Sequence, residues 1–207
     1  MRGKFITLEG LEGVGKTTNR TFVEALLNEH NIEFVGTREP GGTELGESLR
    51  NLVLHAAGQM QNETELLLMA ASRVEHVGQV IEPALASGRW VLCDRFLDAS
   101  IAYQGAGRQL GVSRVAELHK MMGVTIKPDL TLLLDMPVEA GLARMAARGK
   151  PDRIESEALE FFERARAAYL QRAADDPDRV VIIDASHSVE DVQASVKSAL
   201  MPFVNAA

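Results

Sequence analysis

The stretch Gly10-Leu11-Glu12-Gly13-Val14-Gly15-Lys16-Thr17-Thr18 sets glycines beside a lysine and two hydroxyls. Gly10 and Gly15-Lys16-Thr17 have the spacing of a phosphate loop, whose backbone N–H groups converge on phosphate oxygens. In that pattern Lys16 reaches the β- and γ-phosphates of a nucleoside triphosphate, and Thr17 offers a hydroxyl to Mg²⁺. The flanks supply what such a loop needs. Lys4–Glu9 reads as a strand. Lys16–Glu29 reads as a helix, with Phe22, Val23, Leu26 and Leu27 on one face. A helix opening at the loop adds its positive end to the anion site.

Further charged residues sit where a second anion could be handled. Asp94-Arg95 closes the apolar run "RWVLCD". The aspartate can hold a magnesium ion through water, and the arginine can grip an anion with its fork of donors. No basic residue occupies the variable positions Leu11, Glu12, Gly13 and Val14. The negative charge that develops in phosphoryl transfer must therefore be met from outside the loop. The segment "RMAARGKPDRIESE", about 144–157, carries Arg144, Arg148, Lys150 and Arg153 around a Gly-Lys-Pro break. Such a break marks an excursion from a helix. The segment is expected to be a mobile lid over ATP, with Arg144, Arg148 and Arg153 on its phosphates.

The elements that must position these residues alternate along the chain. Strands are expected at Lys4–Glu9, Glu33–Gly36, "RWVLCD", "DLTLLLD" and "RVVIID". Helices are expected at 44–55, 62–86, 113–122, 138–148, 156–173 and 188–203. Continuous apolar strands between helices predict a three-layer, doubly wound parallel α/β sheet of five strands. Three of them end in acids, Glu9, Asp94 and Asp135, where such sheets bind ligands. In the helix 156–173, Leu159, Phe161 and Phe162 are expected to face inward. The apolar stripe Leu66, Leu67, Ala70, Val74, Val77 and Ile81 exceeds what one core needs, and a dimer seam is one reading of it.

Composition narrows the classes. The 207 residues, 46% hydrophobic and 25% charged, suit one domain with a small insert. A net charge of −7 offers no global field for nucleic acid. The single cysteine, Cys93, lies in an apolar run and reads as a buried thiol rather than a nucleophile. No apolar run approaches membrane-spanning length, and a soluble cytoplasmic protein is expected. A GTPase switch would need Asn-Lys-x-Asp and a switch-loop Asp-x-x-Gly, and neither is present.

"GLEGVGKTT", "REPGGT", "DRF", "AYQGAGR" and "DRIE" occur in this order. In these motifs the chain resembles the bacterial thymidylate kinases over nearly its whole length. The resemblance implies a P-loop NTPase fold with strand order 2-3-1-4-5, a lid and a homodimer. It implies transfer of the γ-phosphate of ATP to dTMP with Mg²⁺, giving dTDP. Arg95, with Arg38 and Arg50, would bind the acceptor phosphate, and Glu12 would accept from the sugar 3′-hydroxyl. Arg73, Ser100 and Gln104 would surround the base, and Tyr103 the sugar. The family commonly has phenylalanine stacked on thymine four residues before that arginine; here Met69 stands there. A thioether can lie on a π-face but selects shape less than a ring does. A kinase for another nucleotide or a deoxynucleoside, and a nucleotide-dependent switch, are the rival readings. A panel of acceptor nucleotides separates them.

Overall fold

The computed structural model describes residues 2–56, 58–147 and 151–206. Five strands form one parallel sheet: β1 (Phe5–Glu9), β2 (Phe34–Arg38), β3 (Trp90–Asp94), β4 (Leu130–Asp135) and β5 (Val180–Asp184). Their order is β2-β3-β1-β4-β5, the order that the resemblance implies. The central strands β1, β3 and β4 are buried almost throughout, whereas the edge strands β2 and β5 are half exposed. The apolar runs are continuous where helices cover both faces and mixed where one side meets water.

The helices are α1 (Lys16–Glu29), α2 (Glu44–His55), α3 (Asn62–His76), α4 (Glu82–Ala86), α5 (Leu97–Ser100), α6 (Val112–Met121), α7 (Val138–Ala146), α8 (Leu159–Asp175) and α9 (Val189–Val204). Thr43 caps α2 by accepting from the Gly46 N–H, and Ser188 caps α9 by accepting from the Asp191 N–H. None of the helices among the described residues is long and apolar enough to cross a membrane.

Four expectations need correction. The single helix expected over 62–86 is α3 and α4 joined by a π-helical turn, Val77–Ile81. The turn lies directly before Pro83, which lacks the N–H that an α-turn would use. Leu97–Gly107 is helical, although the sequence shows no helical period there. It begins as α5 and continues as a π-helical turn, Ile101–Gly107, whose wider spacing and two glycines hide the usual 3.6-residue pattern. Leu159 is exposed at the start of α8 while Phe161 and Phe162 are buried. The apolar stripe on α3 also divides: Leu66, Ala70, Val77 and Ile81 are core, but Leu67 and Val74 face out.

Candidate active site

A crevice of about 670 Å³ opens at the C-terminal ends of β1, β2 and β3. Its floor is the loop between β1 and α1. Gly10 has φ +131°, and a Cβ there would lie 2.2 Å from the Leu134 carbonyl oxygen of β4. At Gly13 a Cβ would lie 2.0 Å from the Gly141 oxygen of α7. Only glycine lets the loop lie this close to both elements. Lys16 folds back across the loop, and its Nζ donates to the carbonyls of Gly10 (3.0 Å) and Leu11 (2.6 Å). Burial, with help from Arg95, lowers its pKa to about 8. Thr17 and Thr18 are exposed on the crevice floor. Asp94, also on the crevice wall, has a buried Oδ1 with no hydrogen-bond partner among the described residues.

Five arginines line the crevice, Arg20, Arg38, Arg50, Arg95 and Arg144. Arg95 has φ +70°, a backbone conformation that side-chain-bearing residues seldom adopt and that clusters at functional sites. Its Nη2 donates to Glu12 Oε1 at 2.6 Å, its Nη1 to Tyr169 Oη at 3.3 Å, and its guanidinium lies 4.8 Å from the centre of the Tyr103 ring. Tyr103 Oη donates to Glu12 Oε2 at 2.7 Å. Burial alone would raise the Glu12 pKa, but Arg95, Lys16 and the Tyr103 hydroxyl hold it below the ordinary carboxylate range. Arg38, half exposed, pairs with Glu47 at 2.8 Å. Arg50 donates to the Pro40 carbonyl at 3.0 Å, and no carboxylate pairs with it among the described residues. Burial, then Arg38, pushes its pKa down.

Met69, Ala99, Tyr103 and Gln104 line the inner end. Gln104 is fully buried on the π-helical turn; its Nε2 donates to Glu65 Oε1 at 2.7 Å, and its Oε1 has no partner among the described residues. The crevice thus joins an anion cradle, a cluster of arginines and an apolar slot with one unmet acceptor.

A family model described as thymidylate kinase matches residues 8–196. The thymidylate kinase of Pseudomonas putida F1 is 54% identical over 203 residues, covering 98% of this chain and 96% of that one. That of Bordetella petrii is 52% identical over 199 residues, covering 96% of this chain and 95% of the other. The crystal structure of thymidylate kinase from Ehrlichia chaffeensis superposes with a TM-score of 0.78 at 33% identity, covering 97% of this chain and 99% of that one. The chain belongs to the thymidylate kinase family.

It is therefore a nucleoside monophosphate kinase on a P-loop NTPase fold. Within this family member the expected site residues are not all brought together. Gly10 to Thr18, Arg38, Arg50, Met69, Asp94, Arg95, Tyr103, Gln104 and Arg144 belong to the crevice or its loop. Arg144 donates to the Ala185 carbonyl at 3.2 Å. Arg153 turns away: its Nη2 donates to Glu65 Oε2 at 2.7 Å and its Nε to the Val53 carbonyl at 2.8 Å, on α3 and α2. Arg148 lies outside the described residues. Of the acids expected at the strand ends, only Asp94 lines the crevice. Glu9 is buried beneath it, accepting from Tyr169 Oη and the Phe96 N–H, and burial pushes its pKa up to about 8. Asp135 is held by both Nε and Nη2 of Arg166.

Arg73 and Ser100 are behind the wall rather than on it. Arg73 is 1% exposed, and four of its five N–H groups have partners. Nε donates to Glu39 (2.6 Å), Nη1 to Ser100 Oγ (2.9 Å) and His119 Nε2 (2.6 Å), and Nη2 to the Phe96 carbonyl (2.8 Å). These bonds join the loop after β2, the end of β3, α5 and α6. Sequence reasoning missed Glu65, Glu39, His119, Arg108 and Tyr169. A signal existed for one of them: Glu65, Met69 and Arg73 are spaced by four on a helix whose same face is apolar, which marks buried charge.

His119 offers a direct test of this packing. Its Nε2 accepts from Arg73, so the ring proton sits on Nδ1 and bonds the Val115 carbonyl. Burial, then Arg73, lowers its pKa from 6.5 to about 4. The unfolded chain thus takes up a proton before the folded one does, and stability is lost as pH falls from about 6.5 toward 4. Relative to His119→Gln, which keeps an acceptor without titrating, the wild type should lose about 3 kcal/mol over that interval. Urea unfolding at stepped pH measures it; parallel profiles for the two proteins would refute the tautomer assignment.

Proposed function

We propose that the protein transfers the γ-phosphate of ATP, held on Gly10–Thr18, to the phosphate of dTMP, giving ADP and dTDP for DNA synthesis. One observation carries this reading. The anion cradle of Lys16 and the α1 N-terminus shares one crevice with Arg38, Arg50 and Arg95, and no carboxylate pairs with Arg50 among the described residues. Two anions brought end to end there would satisfy both walls. The acceptor phosphate oxygen attacks the γ-phosphorus while the bond to the β-bridging oxygen breaks. A phosphate monoester is nucleophilic enough to need no general base, so positioning and charge neutralisation do the work.

In this reading, Lys16 exchanges the loop carbonyls for phosphate oxygens, and Arg38, Arg50 and Arg95 clamp the acceptor. Glu12 keeps Arg95 and Tyr103 in place and takes the sugar 3′-hydroxyl. Tyr103, its hydroxyl spent on Glu12, presents a fixed ring beside the sugar, and Met69 lies against the base. Arg73 and Ser100 position the helix that bears Gln104. The exposed Thr17 hydroxyl and the unpartnered Asp94 Oδ1 fit a hydrated Mg²⁺, which would neutralise charge between the β- and γ-phosphates when bound.

The chain is read as one catalytic domain, 1–207, with the segment 144–157 as its lid. Arg144 and Arg148 serve the triphosphate. Arg153 rests on Glu65 and reaches the phosphates only when the lid moves. Exposed Leu45 and Leu52 on α2, with Leu67 and Val74 on the adjoining α3, suit a seam between two copies. Both substrates are small molecules; neither nucleic acid nor membrane is needed, and the cytoplasm is the compartment assigned.

ADP release measured with a panel of nucleoside monophosphates tests the reading. dTMP should stimulate ATP consumption far above the other acceptors, and Lys16→Ala should lower kcat by a factor on the order of 10² or more with the fold intact. Acceptor-independent hydrolysis would indicate a switch protein instead. Arg50→Ala should raise KM for dTMP roughly 10- to 100-fold, as loss of a charge-assisted bond does, while leaving KM for ATP nearly unchanged. Equal effects on both would place Arg50 outside the acceptor site.

A further inference from the structure

Glu65 lies in the first turn of α3 and is 1% exposed. Its Oε1 accepts from Gln104 Nε2 at 2.7 Å. Its Oε2 accepts from Arg153 Nη2 at 2.7 Å and from Arg108 Nε at 3.2 Å. Burial alone would raise its pKa, but the bonds from Gln104, Arg108 and Arg153 hold it below the ordinary range. It therefore stays a carboxylate, which can only accept.

That polarity decides how Gln104 stands. A primary amide has a donor end and an acceptor end of nearly equal shape, and the partner of one end chooses which end faces the other way. An acceptor-only partner draws the NH₂ group to itself. The carbonyl is then turned the opposite way: Gln104 Oε1 is buried with no partner among the described residues, on a residue that borders the crevice with Met69, Ala99 and Tyr103. A buried carbonyl left without a donor is unfavourable, so the slot favours a ligand that brings an N–H to that point.

We infer that Glu65 is a specificity-determining positioning residue: by fixing the Gln104 amide it makes the slot accept a base edge that donates an N–H and reject one that presents a lone pair. Thymine carries a hydrogen on N3, whereas cytosine has a lone pair there. The inference rests on the reading above, in which Gln104 faces the base of the acceptor nucleotide. The same carboxylate also holds Arg153, so removing its charge loosens that segment as well. This second effect falls on every acceptor alike and cancels in a ratio.

The experiment compares kcat/KM for dTMP and dCMP, with ATP as donor, in the wild type and in Glu65→Gln. A neutral amide at 65 can donate as well as accept, so it no longer dictates which end of Gln104 faces the slot. The dTMP-to-dCMP ratio should fall about tenfold or more in the variant, the size of effect that an unmet buried hydrogen bond produces. A variant that loses activity on both nucleotides equally, with the ratio unchanged, overturns the inference and leaves the proposed function standing. A wild type that does not prefer dTMP among monophosphates overturns the proposed function itself. Should Glu65→Gln fail to fold, dTMP labelled with ¹⁵N at N3 and bound to the wild type gives the answer. Its imino proton should be protected from exchange; rapid exchange in the saturated complex overturns the inference.

Discussion

A polar group removed from water must find a partner, and this crevice is built around groups that have none. Among the described residues, four buried side-chain atoms lack a hydrogen bond: Asp94 Oδ1 and Gln104 Oε1 belong to the crevice, Asn19 Oδ1 and Arg108 Nη2 do not; Arg50, in the crevice, has no carboxylate. Elsewhere the chain pairs its buried charges closely: Arg73 with Glu39, Arg179 with Asp98, and Glu65 with Arg108 and Arg153. Paired groups hold geometry, and the unmet ones of the crevice stand where phosphate, metal water and base edge would arrive.

The paired groups do their holding across distant segments. Arg73 ties Glu39, the residue after Arg38 at the end of β2, to α5 and α6, so the strand end bearing Arg38 and the helix bearing Gln104 are fixed to one another. Tyr169 of α8 links Arg95 to the buried Glu9 of β1, beneath the phosphate loop. Glu12 faces Arg95 and Tyr103 from within that loop. Charge on the acceptor side is thus referred back to the donor side through a few short bonds. Preorganisation of this kind spares the reaction the cost of arranging dipoles as charge moves.

The sheet and the phosphate loop were legible in the sequence because each rests on local chemistry. Buried parallel strands demand unbroken apolar runs, and a loop that packs against Leu134 and Gly141 demands glycine. The acceptor side was legible only through its motifs. Arg73 shows why: the sequence marks it as a charge on an apolar helix face, but not whether it points into the crevice or behind it. The helix Leu97–Gly107 was lost because a π-helical turn breaks the period on which the reading depends. Arg153 was seen as a cation of the lid, yet its resting partner, Glu65, is 88 residues away in sequence, and no local pattern encodes that pairing.

The central claim is that the unmet groups of the crevice are the substrate contacts. A crystal structure with dTMP and a non-hydrolysable ATP analogue with Mg²⁺ tests it most directly. The account predicts that Arg50 meets the acceptor phosphate, Gln104 Oε1 meets N3 of thymine, and Asp94 Oδ1 meets a water of the metal. Both nucleotides bound in the crevice with Asp94 Oδ1 and Gln104 Oε1 still unpartnered and Arg50 still bonded only to the Pro40 carbonyl would contradict it.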